Sequence, residues 1–116
     1  MKLVFGSLTL GAISQPLYCD QTWFGVLILD PSVENEKTGR RILAYKNFCE
    51  DWTERSYQNP DSPPDAGEFD QYLDLAESAD WWILDDDGTS YHVGCPVFHR
   101  SGDFSCRSWE FTHPKK

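Results

Sequence analysis

The sequence predicts one α+β domain over residues 1–116, with an antiparallel sheet of five to six strands and two helices packed on one face. Three observations support this class. The length of 116 residues is that of a single domain. Hydrophobic residues make up 40% of the chain, which is enough for a core. Segments with strand alternation flank a stretch with helical periodicity, which gives the order ββααββββ.

The first predicted strand covers residues 2–13, where apolar residues alternate sides. Gly6 and Gly11 interrupt it and indicate a bulge or a close backbone approach. The run has some features of a secretory leader, but polar residues break it and no convincing cleavage site follows. We therefore expect the opening strand of a cytoplasmic protein. No run of the sequence is long enough to span a membrane, so no membrane partner is expected.

The second predicted strand covers residues 21–29, after a loop that starts at Gln15 and Pro16. This stretch is rich in aromatic and β-branched residues and is apolar on both faces, which indicates a central position in the sheet. The residues from Asp30 to Gly39 are polar and predict a loop.

Helical periodicity begins at Arg40 and predicts a first helix over about residues 40–57, ended by Asn59 and Pro60. Ser62, Pro63 and Asp65 then form a helix-start signal, with Ser62 as the cap. The apolar stripes are Ile42, Tyr45, Cys49 and Trp52 in the first helix, and Phe69, Tyr72, Leu73 and Ala76 in the second.

Two hairpins are predicted after the helices. Residues 81–84 and 89–93 flank a turn at Asp87 and Gly88. Residues 97–99 and 104–111 form the second pair, and residues 112–116 are expected to fray.

The charge is concentrated in one block. The chain carries a net charge of −9, and residues 50–87 hold 13 of its 19 acids against Arg55 as the single base. Strong acidity argues against binding nucleic acid through its phosphates, because that needs a basic surface. It favours a basic protein as the partner, steered by long-range attraction. The simple alternative is that the acids only keep the protein soluble.

Other chemistry finds weak support in the sequence. His92, Cys95, His99 and Cys106 contain zinc-ligand types, but they lack a tight CxxC pair. Neither a Cys–His nucleophile nor a calcium loop has the expected context, and the acids around Asp86 are better explained by a hairpin turn. We expect no metal, no cofactor and no enzymatic activity, and we interpret the four cysteines as buried free thiols.

The acidic block alternates with large apolar residues, which predicts a folded docking surface for a basic protein. Trp81 or Trp82 is expected to supply an aromatic anchor, since adjacent strand residues face opposite sides. The predicted partner-binding residues are Glu50, Asp51, Glu54, Asp70, Asp74, Glu77, Trp81, Asp85, Asp86 and Asp87. The bland interpretation is a solvated helix face beside core tryptophans.

In size, acidity and element order the chain resembles the small acidic immunity proteins of bacterial polymorphic-toxin and contact-dependent inhibition systems. The phrase Glu68-Phe69-Asp70-Gln71-Tyr72, followed by Trp81-Trp82 and a hairpin, is similar in style. The resemblance implies a non-enzymatic cytoplasmic protein that binds one cognate toxin and covers its active site or blocks substrate entry. If that toxin is a nuclease, its basic cleft would match an acidic inhibitor.

Two alternatives remain open from the sequence. One is a phage-encoded inhibitor that mimics DNA against a host defence nuclease, which would use the same acids. The other is a small enzyme or ligand-binding domain with a pocket lined by Trp and His.

Overall fold

One antiparallel sheet of seven strands forms the frame of the molecule in the computed structural model, which describes residues 1–62 and 64–112. The strands are β1 Lys2–Phe5, β2 Leu8–Cys19, β3 Thr22–Leu29, β4 Trp81–Leu84, β5 Ser90–His92, β6 Val97–Phe98 and β7 Asp103–Arg107. Their order across the sheet is β5-β4-β1-β2-β3-β7-β6. The α+β class with an antiparallel sheet is thus confirmed, although the sheet has more strands than the five to six predicted.

The predicted single strand over residues 2–13 is wrong, because the chain reverses within it. β1 and β2 form a hairpin in which Phe5 lies opposite Leu8. Gly6 occupies the turn with φ 60°, a conformation that a residue without a Cβ adopts at little cost. The close backbone approach expected at Gly11 is confirmed, since a Cβ there would lie 2.1 Å from the carbonyl oxygen of Ile28.

The strand predicted over residues 21–29 is confirmed as β3, which lies between β2 and β7. The loop predicted at Gln15 and Pro16 is wrong, because both residues belong to the twelve-residue β2. The register shifts between Ser14 and Leu17, and Gln15 has φ 54°. A bulge therefore bends β2 and accommodates the proline without ending the strand.

The sheet curls until its far parts touch. An isolated antiparallel bridge joins Val93, just after β5, to Ser108, just after β7. The amide of Gly94 donates to the carbonyl of Arg107 at 2.8 Å. Because β5 and β7 lie five places apart in the sheet order, these contacts make the sheet a partly closed barrel.

The core lies on the inner, concave face of this sheet. Paired residues of neighbouring strands point to the same side, so Leu3 and Ile83 share that face with Trp81, and all three are 0% exposed. The outer face is more open and leaves Phe24 and Ile28 largely exposed.

The first predicted helix is confirmed as α1, Lys37–Gln58, and its buried stripe includes Ile42, Tyr45 and Cys49. It begins three residues earlier than predicted. A short 3-10 helix, Pro31–Asn35, precedes it inside the predicted loop and is capped by the Asp30 carboxylate.

The second predicted helix is mostly a 3-10 helix, Ala66–Tyr72, followed by one α-helical turn, α2, Leu73–Ala76. Asp65 caps it through the amide of Gly67 at 3.0 Å, in place of the predicted cap at Ser62. The predicted first-turn Pro63 lies outside the described residues. Residues 64–80 contain this 3-10 helix and α2 and lead to β4. We call them the acidic connection.

Both predicted hairpins are present as β4–β5 and β6–β7. The last predicted strand was expected to reach Phe111, but β7 ends at Arg107 and a short helix follows, α3, Trp109–Thr112. The rest of the tail predicted to fray, residues 113–116, lies outside the described residues. Within the described chain, no helix combines the length and the apolar character that crossing a bilayer demands.

Candidate partner-binding surfaces

Nine of the ten predicted partner-binding residues are at least partly exposed. They fall into three groups: the second half of α1, the acidic connection, and the turn between β4 and β5. The tenth residue is buried.

Trp81 is that buried residue, so the prediction that it contacts a partner is wrong. Its side chain is 0% exposed, and its indole N–H donates to the carbonyl of Leu75 at 2.9 Å. Trp81 pairs with Phe5 on the inner face, and their ring centroids are 4.7 Å apart. Strand alternation therefore turns Trp82 to the outer face, where it is half-buried.

The acids of α1 all have counter-ions within the chain. Two of the pairs are exposed or half-exposed, and such pairs contribute about 0–1 kcal/mol each to folding, whereas the pair of Lys46 with Glu50 is partly buried. The pairs are Glu50 with Lys46, Asp51 with Arg55 and Glu54 with Arg100. Arg55 also pairs with Glu68 of the acidic connection at 2.9 Å, so the two acidic segments form one continuous surface. We call this the helical acidic surface.

The acidic connection contributes both paired and unpaired carboxylates to this surface. Asp74 receives a two-pronged contact from Arg41, which also donates to the carbonyl of Gln71 at 2.8 Å. The hydrogen bond from Arg41 holds the pKa of Asp74 below its usual value. Asp70 and Glu77 are exposed and make no ion pair within the described residues.

The aspartates of the β4–β5 turn mainly shape that turn. Asp85 accepts from the amide of Asp86 at 2.7 Å, and Asp87 accepts from the amide of Thr89 at 2.9 Å. The hydrogen bonds from Thr89 lower the pKa of Asp87. Asp86 pairs with the amino group of Met1 at 2.9 Å.

The turn aspartates and the helical acidic surface are separate. The first residue of β4, Trp81, touches the acidic connection through Leu75, whereas the aspartates follow the last residue of β4. Four strand residues span about 13 Å. The predicted acids thus form two negative areas rather than one shared face.

The candidate zinc and thiol residues do not converge. Among residues 1–62 and 64–112, no three His, Cys, Asp or Glu side chains are grouped so as to hold a metal ion. Burial raises the pKa of Cys95 and of Cys106 to about 12, which disfavours the reactive thiolate. All four thiols are free, as expected, but only Cys49 and Cys106 are buried, while Cys95 is half-buried and Cys19 is exposed.

Comparisons with protein-family models, with curated proteins and with solved structures find no match to this chain. The arguments for its function therefore come from its own geometry.

Two aromatic arrangements were not predicted from the sequence. On the outer face, His92 lies between Trp82 and Trp109, with centroid distances of 4.2 and 4.5 Å and nearly parallel rings. Its Nε2 lies 2.7 Å from the carbonyl oxygen of Ala79, which can only accept, so Nε2 donates. Two stacked rings and a hydrogen bond thus fix the His92 side chain, which indicates a structural role.

The second arrangement is an aromatic wall on the inner face, where the curled sheet closes. It is formed by Tyr18, Trp23 and Tyr91, with Trp23 in the middle. The wall borders a cavity of about 520 Å³ whose rim includes His92 and Glu110. Only the closure of the sheet brings β5 to the β2–β3 hairpin, so no local pattern in the sequence marks this site.

Proposed function

We propose that this protein is a non-enzymatic inhibitor that docks on a basic protein, and specifically an immunity protein that neutralises a cognate bacterial toxin. The nuclease domain of such a toxin, with its basic cleft, is the partner of best fit. The helical acidic surface is the proposed docking face. The observation that carries the proposal is the net charge of −12 over residues 50–87, now placed on folded segments.

The acidic connection is held in a fixed position on α1, which supports this proposal. Its rings pack on α1, with Phe69 at centroid distances of 4.9 Å from Phe48 and 4.6 Å from Trp52. Ion pairs fix it at two further points, Glu68 to Arg55 and Asp74 to Arg41. A charged segment held in place in advance loses less conformational freedom on binding than a mobile tail would.

The unpaired carboxylates of the acidic connection provide negative charge that no base of the described chain neutralises at close range. Asp70 and Glu77 have no counter-ion in the described chain, so their charge is available to an approaching cation. The paired acids still contribute to the net charge of −9, which acts at longer range. Such a field speeds association with a basic partner and weakens as salt is added.

The first test is biological. The product of the gene beside this one is expressed alone and then together with this chain. The expected result is growth arrest that this chain relieves. A neighbouring gene product that is harmless, or one that this chain fails to counteract, would contradict the immunity role. Inhibition of a host defence nuclease instead would support the DNA-mimic alternative.

The second test is kinetic and targets the surface. Asp70 and Glu77 make no ion pair within residues 1–62 and 64–112, so replacing both by Lys is expected to leave the fold intact. We expect the rate of association with the toxin that this chain neutralises to fall by about tenfold or more at low salt. At high salt we expect a much smaller fall.

A matched variant separates the surface from the overall charge. Glu34 and Asp103 are exposed and make no ion pair in the described residues, and replacing both by Lys gives the same change in net charge. The control is expected to associate nearly as fast as the wild type. Equal losses in the two variants would show that only the overall charge matters and would exclude the docking face.

A further inference from the structure

The aromatic wall joins the neighbouring strands β2 and β3 to β5, which lies three and four places from them in the sheet order. Tyr18 lies one residue before the end of β2, Trp23 is the second residue of β3 and Tyr91 lies in β5. The ring centroids are 4.9 Å apart for Tyr18 and Trp23, and 5.0 Å apart for Trp23 and Tyr91, with the rings tilted by about 50°. All three side chains also line the adjoining cavity.

Several backbone contacts hold this wall in place. Ser108 donates its amide to the carbonyl of Gln21 at 2.8 Å, which ties the β2–β3 turn to the end of β7. The hydroxyl groups of Tyr18 and Ser108 lie 3.2 Å apart. The site is thus preorganised by the bridge between Val93 and Ser108, and its volume of about 520 Å³ is that of a ligand cleft.

Glu110 is the carboxylate among the side chains that line the cavity, and it is exposed. Ser90 also lines the cavity and follows Asp87 by three residues, so the backbone of Asp87 stands within about 10 Å of this lining residue. The nearest base along the chain is Arg107, whose guanidinium lies over the ring of Phe111 with 4.7 Å to its centroid.

Aromatic faces next to carboxylates attract cations. The electron-rich faces of Trp and Tyr bind ammonium or guanidinium groups, and the attraction grows as the cation loses water. The same chain already uses this contact elsewhere, with the guanidinium of Arg100 4.5 Å from the ring centroid of Tyr57. The Tyr57 ring is thus occupied, whereas the rings of the aromatic wall border a cavity.

We propose that the aromatic wall, together with Glu110, is a binding site for a cationic side chain, an arginine or a lysine presented by the basic partner. The guanidinium or ammonium group lies against Trp23, and the Glu110 carboxylate supplies the counter-charge. That the cation belongs to the partner rests on the proposed function, whereas capture of a cation by these rings does not.

The test uses a small probe and needs no partner. Nα-acetylarginine amide is titrated into the ¹⁵N-labelled protein, with neutral Nα-acetylcitrulline amide as the matched probe. We expect the indole N–H signal of Trp23 to shift with a dissociation constant in the millimolar range. Citrulline is expected to shift it much less, because it has the same shape without the charge.

Two variants locate the binding. Glu110→Gln is expected to weaken the affinity for the arginine probe about threefold, because one exposed charge pair is lost. Tyr18→Ala removes one ring of the wall and is expected to weaken it further. Tyr57→Ala serves as the matched control, because Tyr57 lies on α1 and does not belong to the aromatic wall. This variant is expected to leave the probe-induced shift of the Trp23 signal unchanged.

The outcomes separate this site from the proposed function. Equal binding of citrulline and arginine, or no shift of Trp23 at either, would overturn the cation site even if the protein neutralises a toxin. Arginine binding that depends on Glu110 and Tyr18 would establish the site even if no toxin partner exists.

Discussion

At the scale of single residues, alternation predicted that Trp81 and Trp82 face opposite sides but not which one is buried. Both are large aromatic residues at the start of the same strand, and both choices give a plausible core. The decision depends on the partner strand, since Trp81 lies beside Phe5 and Trp82 beside Val4 and His92. Such pairings join residues far apart in sequence, which local patterns do not reveal.

The different positions of the two tryptophans lead to a stability prediction. Trp81→Phe leaves a void in the core and removes the donor to the Leu75 carbonyl, so we expect the free energy of unfolding to fall by about 2–4 kcal/mol. Trp82→Phe keeps a ring against His92 on the outer face, and we expect a loss of about 1 kcal/mol or less. Chemical denaturation followed by circular dichroism measures both, and equal losses would contradict the burial assigned here.

The buried thiols lead to a prediction at alkaline pH. Burial raises the pKa of Cys95 and Cys106 to about 12 from the ordinary value of 9.0, so the folded protein keeps both protons while the unfolded chain loses them. The folded state therefore binds more protons between pH 9 and pH 12, and the free energy of unfolding falls as pH rises through this window. Burial of Tyr45 also raises its pKa and adds to the fall above pH 10.

Urea denaturation at pH 8, 9 and 10 measures this decline. The Cys95→Ala, Cys106→Ala variant is the comparison, and its stability is expected to fall less steeply over the same range. A thiol-specific reagent at pH 8 is expected to label Cys19 in the folded protein and all four cysteines after denaturation. Rapid labelling of Cys49 and Cys106 in the folded state would contradict their burial.

At the scale of elements, α1 was predicted well because its apolar stripe repeats over many turns. The acidic connection was predicted poorly. Its apolar residues Phe69 and Tyr72 fit a helical period, yet the segment forms a 3-10 helix and one α-helical turn. Gly67 and the closely spaced acids weaken a regular helix, and the rings instead follow the surface of α1.

The contacts of Arg55 with two carboxylates lead to a prediction for this element. Arg55→Gln removes the ion pairs to Asp51 and Glu68 and loosens one end of the acidic connection. We expect the amide of Glu68 to exchange with solvent about three to ten times faster, while the amide of Glu77, near the Asp74–Arg41 pair, and the amides of α1 change little. Hydrogen exchange followed by NMR measures this effect.

The matched control is Arg40→Gln on the same helix. Arg40 is exposed and donates to the carbonyl of Glu34, away from the acidic connection. Exchange in the connection is expected to match the wild type in this variant. If both variants accelerate exchange equally, the ion pairs of Arg55 do not hold the connection.

At the scale of the whole molecule, the sequence predicted the α+β class, the central β3 and both late hairpins. It did not predict the curl of the sheet or the aromatic wall that this curl creates. The bridge between Val93 and Ser108 links segments that carry no mutual sequence signal, because its register is set by the twist of all the strands between them. The charge block was evident from composition, but its division into two areas depends on the length of β4.

The curled sheet also protects the molecule from adding further strands. An open sheet exposes unpaired backbone groups at both edges, and another chain can extend it towards fibrous aggregates. Here the outermost strands, β5 and β6, have only three and two residues, and the chain beyond β5 is already joined to that beyond β7. β2 pairs with β1 only over Leu8–Ala12, and the bulge at Gln15 together with Pro16 interrupts the edge that β1 leaves uncovered. A chain rich in exposed apolar strand residues thus offers very little edge for amyloid-like growth.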